Sequence, residues 1–297
     1  MPVDIAVIPV AGRGTGLLPL TKSQPKEMLP VGRKPVVQYV VEELARCGLR
    51  KLLFITGPGK AAIENHFDIN AELIAYLRET GKEDLLAELA FERDDVEYFY
   101  TRQRQPLGLG HAVLCARPMV EDRPFVVALG DSIIGPTDRC DIVSRMVEQF
   151  ERQGADAVVA FGEVSTDELS KFGIAKPRGE AGEVFVLDDL VEKPSPAEAP
   201  SHLAVTARYV CGPKVLDHLE NTPPDAAGEI QLTDALRSLI AEGGKVLGVR
   251  LKADERRYHI GDFESFFQAF TSCALADPER GERFREYLRE LIDSTDG

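Results

Sequence analysis

The sequence predicts an α/β protein: a sheet covered by helices on both faces, then a smaller, more antiparallel region, then C-terminal helices. Three observations predict this. In the first half, short apolar runs alternate with segments of helical period. After residue 164, short strand-like runs separated by turns replace that alternation. From Phe263 onward the apolar residues return at helical spacing.

The elements follow in order. Ile5–Pro9 reads as a strand, Val36–Cys47 as a helix stopped by Gly48, and Leu52–Ile55 as the next strand. Lys60–Thr80 and Asp84–Arg93 have helical patterns, and Glu97–Tyr100 is strand-like. Gly108–Arg117 opens another helix, and Phe125–Leu129 is a buried strand ending in Gly130-Asp131. Asp141–Gln153 and Ala157–Phe161 complete the alternation as helix and strand. Beyond it lie strands at Ile174–Lys176, Val184–Val191 and Leu203–Val210, and helices at Lys214–Glu220 and Ile230–Ala241. The terminal helical region breaks near Asp277-Pro278, and its apolar stripe must pack on the core or on another subunit.

These patterns divide the chain into a main domain, residues 1–262, and C-terminal helices, 263–297. Within the main domain the halves are about 1–164 and 165–262. With 297 residues, 44% hydrophobic and 28% charged, the chain can bury a sizeable core. Its net charge of −14 argues against broad binding to nucleic acid or anionic membranes. An anionic ligand would therefore need a local basic pocket. Five scattered cysteines without a CxxC pair fit reduced thiols and a cytoplasmic location. No signal peptide precedes Ile5, and no apolar run approaches membrane-spanning length.

Directly after the first strand stands Ala11-Gly12-Arg13-Gly14-Thr15-Gly16. Glycine tolerates positive φ and lets a ligand approach the main chain, whose amides can bind phosphate or a base. The dinucleotide pattern GxGxxG fails, because Leu17 stands where the third glycine belongs, which excludes a dehydrogenase reading. The P-loop pattern fails as well, since no Gly-Lys-Ser/Thr follows. His66 and His111 lack metal-ligand spacing and read as helix residues satisfied locally. Tyr98, Phe99 and Tyr100 read as core and edge-strand aromatics.

The continuation, Leu18-Pro19-x-Thr21-Lys22-x-x-Pro25-Lys26-Glu27-Met28-Leu29-Pro30, resembles the signature of the sugar-1-phosphate nucleotidyltransferases. Pro-Lys-Glu-Met-Leu-Pro points within them to the bacterial UTP–glucose-1-phosphate uridylyltransferases. The resemblance continues in order through Glu64-Asn-His-Phe-Asp68, Gly108-Leu-Gly-His-Ala-Val-Leu-Cys-Ala116, Glu192-Lys-Pro194 and Glu229-Ile-Gln-Leu-Thr-Asp234. It implies a Rossmann-like nucleotidyltransferase fold with a mixed central sheet, a nucleotide-binding half and a sugar-binding half. It also implies homo-oligomers, dimers or tetramers, with the C-terminal helices as the oligomerisation element.

The reaction implied is attack of a glucose 1-phosphate oxygen on the α-phosphorus of UTP, with Mg²⁺ as cofactor. By resemblance, Ala11, Gly12 and Gly14 line the nucleotide, Lys26 contacts its phosphates, and Glu27 shapes the pocket. Gln103 and Gly108 match positions that read the base. Asp131, at the C-terminal end of a strand, would hold Mg²⁺. Gly173 would lie against the sugar, Glu192 would accept hydrogen bonds from its hydroxyls, and Lys193 would meet its phosphate.

Two positions depart from the pattern. The family reads Gly-x-Gly-Thr-Arg after the strand, and here Gly16 replaces the arginine. The family also reads Tyr-Asp-x-Gly where this chain has Tyr258-His259-Ile260-Gly261, so His259 stands at the second expected metal ligand. Histidine is a poor substitute for a carboxylate on Mg²⁺. Arg13 either supplies the missing guanidinium from the same turn or points to water. Two readings follow: a Mg²⁺-dependent enzyme, or a non-catalytic or weakly active paralog that binds sugar nucleotide and regulates an active uridylyltransferase. Under the second, Gly16→Arg with His259→Asp should raise turnover.

Overall fold

The computed structural model describes residues 2–93, 95–135 and 140–295. β1 (Ile5–Pro9) feeds the glycine-rich turn, and β2 (Pro30–Val31) with β3 (Lys34–Pro35) forms a small ribbon after it. Helix α1 (Val36–Arg46) ends two residues before Gly48, whose φ of 85° suits glycine at a helix stop. β4 (Lys51–Thr56), α2 (Ala61–Phe67), α3 (Ala71–Glu79), β5 (Glu97–Arg102), α4 (Gly108–Leu114), α5 (Arg117–Val120) and β6 (Phe125–Ala128) complete the first half of the sheet and its helices. β7 (Ser132–Ile134), α6 (Ile142–Gln153), β8 (Ala157–Glu163), β9 (Gly173–Pro177), β10 (Val184–Glu192) and β11 (Leu203–Cys211) follow. The chain ends in α7 (Lys214–Asn221), α8 (Leu232–Ala241), β12 (Val246–Arg250), β13 (Arg257–His259), α9 (Phe263–Ala276) and α10 (Gly281–Thr295).

Nine strands form one mixed sheet in the order β5-β4-β1-β6-β11-β8-β12-β10-β9. β5, β4, β1 and β6 run parallel, whereas β11 is antiparallel to both β6 and β8. The antiparallel strands of the second half thus extend the same sheet. Along β1 the side chains alternate between two buried faces. Ile5 and Val7 pack under α4, α7 and α8, while Ala6 and Ile8 pack under α1, α2 and α6. That double burial is why the strand reads as an uninterrupted apolar run.

The order of connection reverses at β1, which has β4 on one side and β6 on the other. Ligands of open α/β sheets bind beyond the strand ends at such a point. Because β1 and β6 pair in parallel, with Ala6 opposite Val126, the loop at Ala11 and the turn at Asp131 emerge side by side.

Three helical expectations need correction. Lys60–Thr80 is two helices, because Asn70 accepts a hydrogen bond from the Leu73 amide at 3.0 Å and caps a new start. The segment expected as a helix over Asp84–Arg93 forms 3₁₀ turns within Glu83–Arg93, and Leu85 there remains exposed. Gly108–Arg117 divides at Cys115-Ala116 into α4 and α5. The break near Asp277-Pro278 is present, with Asp277 Oδ1 accepting from the Glu279 and Arg280 amides at 2.9 and 2.8 Å. All five cysteines are free. Among the described residues no helix is long and apolar enough to cross a membrane.

Candidate active site

The turn after β1 is shaped by its glycines and by Thr21. Gly14 has φ of 69°, and the Thr21 hydroxyl donates to its carbonyl at 2.7 Å. The chain then passes Pro25 into a single 3₁₀ turn, Lys26–Met28, that returns Lys26 beneath Gly12. A Cβ on Gly12 would stand 3.8 Å from Lys26 Cε. Lys26 Nζ reaches Asp131 Oδ2 at 2.5 Å, joining the two loops at the switch point.

Burial disfavours the charged forms of both partners. Asp131 and Glu27 outweigh it at Lys26 and raise the ammonium's pKa. At Asp131 the carboxyl lies far below the usual carboxylate range, because Lys26 and then His259 outweigh burial. Glu27, only 1% exposed, is paired with Lys60 at 2.7 Å, and its carboxyl is pushed upward by burial against that pair. Lys60 was not among the residues expected from sequence. It lies at the end of an exposed-looking loop, and only the fold brings it beneath Glu27.

A cavity of about 570 Å³ gathers every expected nucleotide residue: Ala11, Gly12, Arg13, Gly14, Lys26, Glu27, Gln103, Gly108 and Asp131. Gln103 Nε2 donates to the Gly108 carbonyl and meets His111 Nδ1, both at 3.0 Å, so its amide is fixed in orientation. Gly108 has φ of 92°, and a Cβ there would lie 2.8 Å from both Glu229 Cβ and the Ile230 carbonyl oxygen. Only glycine fits. Arg13 is exposed at the rim of this cavity.

The expected sugar residues lie apart from it on β9 and β10, where Gly173 pairs with Glu192. A Cβ on Gly173 would stand 3.2 Å from Glu192 Oε2 and 3.3 Å from Thr233 Oγ1. The missing side chain thus opens the backbone beside a carboxylate and a hydroxyl. Thr233, which sits in the first turn of α8, was not expected from sequence. Lys193 adopts φ of 44° and projects an exposed ammonium 3.6 Å from Glu192 Oε1.

The two departures from the family pattern meet in space. A Cβ on Gly16 would lie 2.1 Å from the Gly261 carbonyl oxygen, and a Cβ on Gly261 would lie 2.4 Å from His259 Nε2. The imidazole folds over Gly261, whose carbonyl presses on Gly16. His259 Nδ1 stands 3.3 Å from Ser132 Oγ and 3.7 Å from Asp131 Oδ1. Burial lowers the imidazole pKa below its ordinary value, against the opposing pull of Asp131. Gly16→Arg is therefore expected to destabilise the fold by about 1–3 kcal/mol through overpacking, with or without His259→Asp. A thermal melt checks this; an unchanged Tm would show that the Gly261 segment yields freely.

A metal at Asp131 would find one hard carboxylate. Oδ2 is engaged by Lys26, while Oδ1 faces the Ser132 hydroxyl at 3.2 Å. Mg²⁺ commonly takes one or two carboxylates and completes its shell with substrate phosphates and water, so Asp131 fits that habit. An imidazole at His259 does not add a second hard ligand. Among the described residues no cluster of three or more His, Cys, Asp or Glu forms a metal cage.

A glycine-rich backbone cradle, closed by the Lys26–Asp131 pair, thus lies at the switch point of an open α/β sheet. The nucleotidyl transferase family pattern matches residues 5–274. The chain is 44% identical to UTP–glucose-1-phosphate uridylyltransferase YngB of Bacillus subtilis, over 97% of this chain and 95% of that protein. It is 41% identical to a putative UTP–glucose-1-phosphate uridylyltransferase of Methanocaldococcus jannaschii, over 97% and 98%. Among solved structures, the UTP-bound UGPase from Acinetobacter baumannii superposes with a TM-score of 0.90 at 36% identity, covering 97% of this chain and 99% of that one. The chain belongs to the nucleotidyl transferase family and, within it, to the UTP–glucose-1-phosphate uridylyltransferases.

Proposed function

We propose that the protein transfers the uridylyl group of UTP to glucose 1-phosphate, giving UDP-glucose and pyrophosphate. The observation that carries this reading is the Lys26–Asp131 pair at 2.5 Å inside the cavity formed by the glycine-rich loop. A phosphate oxygen of glucose 1-phosphate attacks the α-phosphorus of UTP, and the bond to the bridging oxygen of pyrophosphate breaks. Both reactants are anions, so positioning and charge neutralisation dominate.

The residues divide the work. Main-chain amides of Ala11–Gly14 and the Lys26 ammonium hold the triphosphate. Gln103, fixed through its Nε2, offers Oε1 to the imide N–H of uracil, and the Gly108 amide donates to a flanking carbonyl. Glu192 accepts from sugar hydroxyls beside Gly173, and Lys193 meets the sugar phosphate. Glu27, anchored by Lys60, keeps Lys26 in place. Arg13 brings the guanidinium that Gly16 lacks to the outer phosphates. Asp131 would hold Mg²⁺, which would supply further charge neutralisation on the triphosphate.

The test is pyrophosphate release by the purified protein with UTP, glucose 1-phosphate and Mg²⁺. Turnover of about 1 per second or faster is expected, with loss on chelation by EDTA and recovery on added Mg²⁺. Release that persists undiminished in EDTA would remove the metal from the account. We also propose a cytoplasmic homo-oligomer joined through α9 and α10, on which Phe267 and Tyr287 are 60% and 56% exposed. A monomeric mass in solution would contradict that.

A further inference from the structure

Behind the catalytic carboxylate lies another cavity of about 840 Å³, between the end of β8 with its following turn and the 250–262 segment. It shares no lining residue with the 570 Å³ nucleotide cavity. The Gly16–Gly261 contact and the His259–Asp131 pair form part of the partition. Asp131 borders one cavity and His259 the other.

The charges on its wall are unequal in their partners. Two of its acids are ion-paired, and two are held only by neutral donors. Glu163 pairs with Arg250 at 2.5 Å, and Glu255 pairs with Arg145. Glu168 accepts from the Ser165 hydroxyl at 2.8 Å, and Asp262 accepts from the Ser265 amide at 2.8 Å as a helix cap. Lys252 is taken by Asp141 at 2.7 Å. Lys171, Arg256 and Arg257 remain, and among the described residues none has a carboxylate within ion-pair distance. Arg257 is held in place, with its guanidinium 4.4 Å from the Phe172 ring centre and Nη1 donating to the Val205 carbonyl at 2.8 Å. Arg256 lies over Tyr258 at 5.6 Å and reaches Gln268 only at 3.4 Å. In the same wall, Thr206 keeps a buried hydroxyl with no hydrogen-bond partner.

Among the described residues, three cations thus face one cavity with no carboxylate in ion-pair reach, Lys171 and Arg256 exposed and Arg257 half-buried, beside the unfilled Thr206 hydroxyl. Guanidinium forks match phosphate oxygens, and the volume is that of a small-molecule pocket. We infer that this cavity is a second anion site, separate from the substrate pockets, that takes a phosphate-bearing metabolite through Lys171, Arg256 and Arg257. Its ligand would sit against His259, on the far side of the imidazole from the catalytic carboxylate. The inference goes beyond the uridylyl-transfer reading and does not require it.

The experiment is calorimetric titration of the full chain with inorganic phosphate, alone and with saturating UDP-glucose. The expected result is binding that survives UDP-glucose and weakens roughly tenfold or more in Lys171→Gln/Arg256→Gln, from loss of charge-assisted hydrogen bonds. Both side chains border open cavity, and a thermal melt of the variant checks that the fold is kept. Phosphate binding abolished by UDP-glucose would overturn the inference, because the cavity would then be an extension of the substrate site. Binding insensitive to the double substitution, or no binding at all, would overturn it too. Should UDP-glucose itself fail to bind, the reading of the substrate site falls, and the phosphate titrations of the free protein and the variant still decide this one.

Discussion

Lys26→Ala is expected to lower kcat/KM for uridylyl transfer by about 10²–10³, the loss typical of removing one preorganised transition-state donor. Its Nζ is the cation that reaches both the loop cavity and Asp131 Oδ2, at 2.5 Å. The variant should also change the pH dependence. In the wild type, Lys26 and His259 outweigh burial and hold the Asp131 carboxyl far below the usual range. The stabilisation this gives is present above the ordinary carboxylate pKa of about 3.9 and fades as pH falls toward the depressed folded value. Without Lys26, burial pushes the carboxyl upward instead. The acid limb of the activity profile should therefore move to higher pH, as a pH series of pyrophosphate release would measure. An unmoved limb would mean that Lys26 does not set the charge of Asp131.

The second large effect lies behind the site. Arg208 is fully buried and meets Glu43 through two bonds, Nε at 3.1 Å and Nη2 at 2.6 Å, while Nη2 also donates to the Ser132 carbonyl at 3.0 Å. This pair ties α1 and β11 to the turn that carries Asp131. Arg208→Met would leave the Glu43 carboxylate buried without a partner, which is expected to destabilise the fold by about 3–5 kcal/mol. Adding Glu43→Met should recover most of that loss, because two apolar side chains replace a pair costly to desolvate. Thermal melts of the single and double variants check it; equal Tm values would mean that the unpaired carboxylate is not the cause.

The residues that line the 570 Å³ cavity were legible as a group because most of them lie in one continuous stretch, Ala11–Glu27, followed by Gln103, Gly108 and Asp131 in the expected order. Strand identity was legible too, since double burial leaves an apolar run that local pattern reveals. Strand order was not. β11 inserts between β6 and β8, a pairing made by residues far apart in sequence. The same holds for Arg208 with Glu43, Lys60 with Glu27, and Thr233 beside Gly173, each assembled only by the sheet. The helix break at Asn70 escaped periodicity because both flanking segments are amphipathic. Gly16 shows the limit most plainly. From sequence it read as a lost arginine, whereas in the fold it is the residue that seats the Gly261 carbonyl.

Uridylyl transfer at the Lys26–Asp131 pair is expected although Gly16 and His259 replace the expected arginine and aspartate. Its most direct test follows the α-phosphate of labelled UTP in the presence of glucose 1-phosphate and Mg²⁺. The label is expected to pass into UDP-glucose while unlabelled pyrophosphate is released. Label that stays in UTP, although UTP and UDP-glucose both bind, would contradict it.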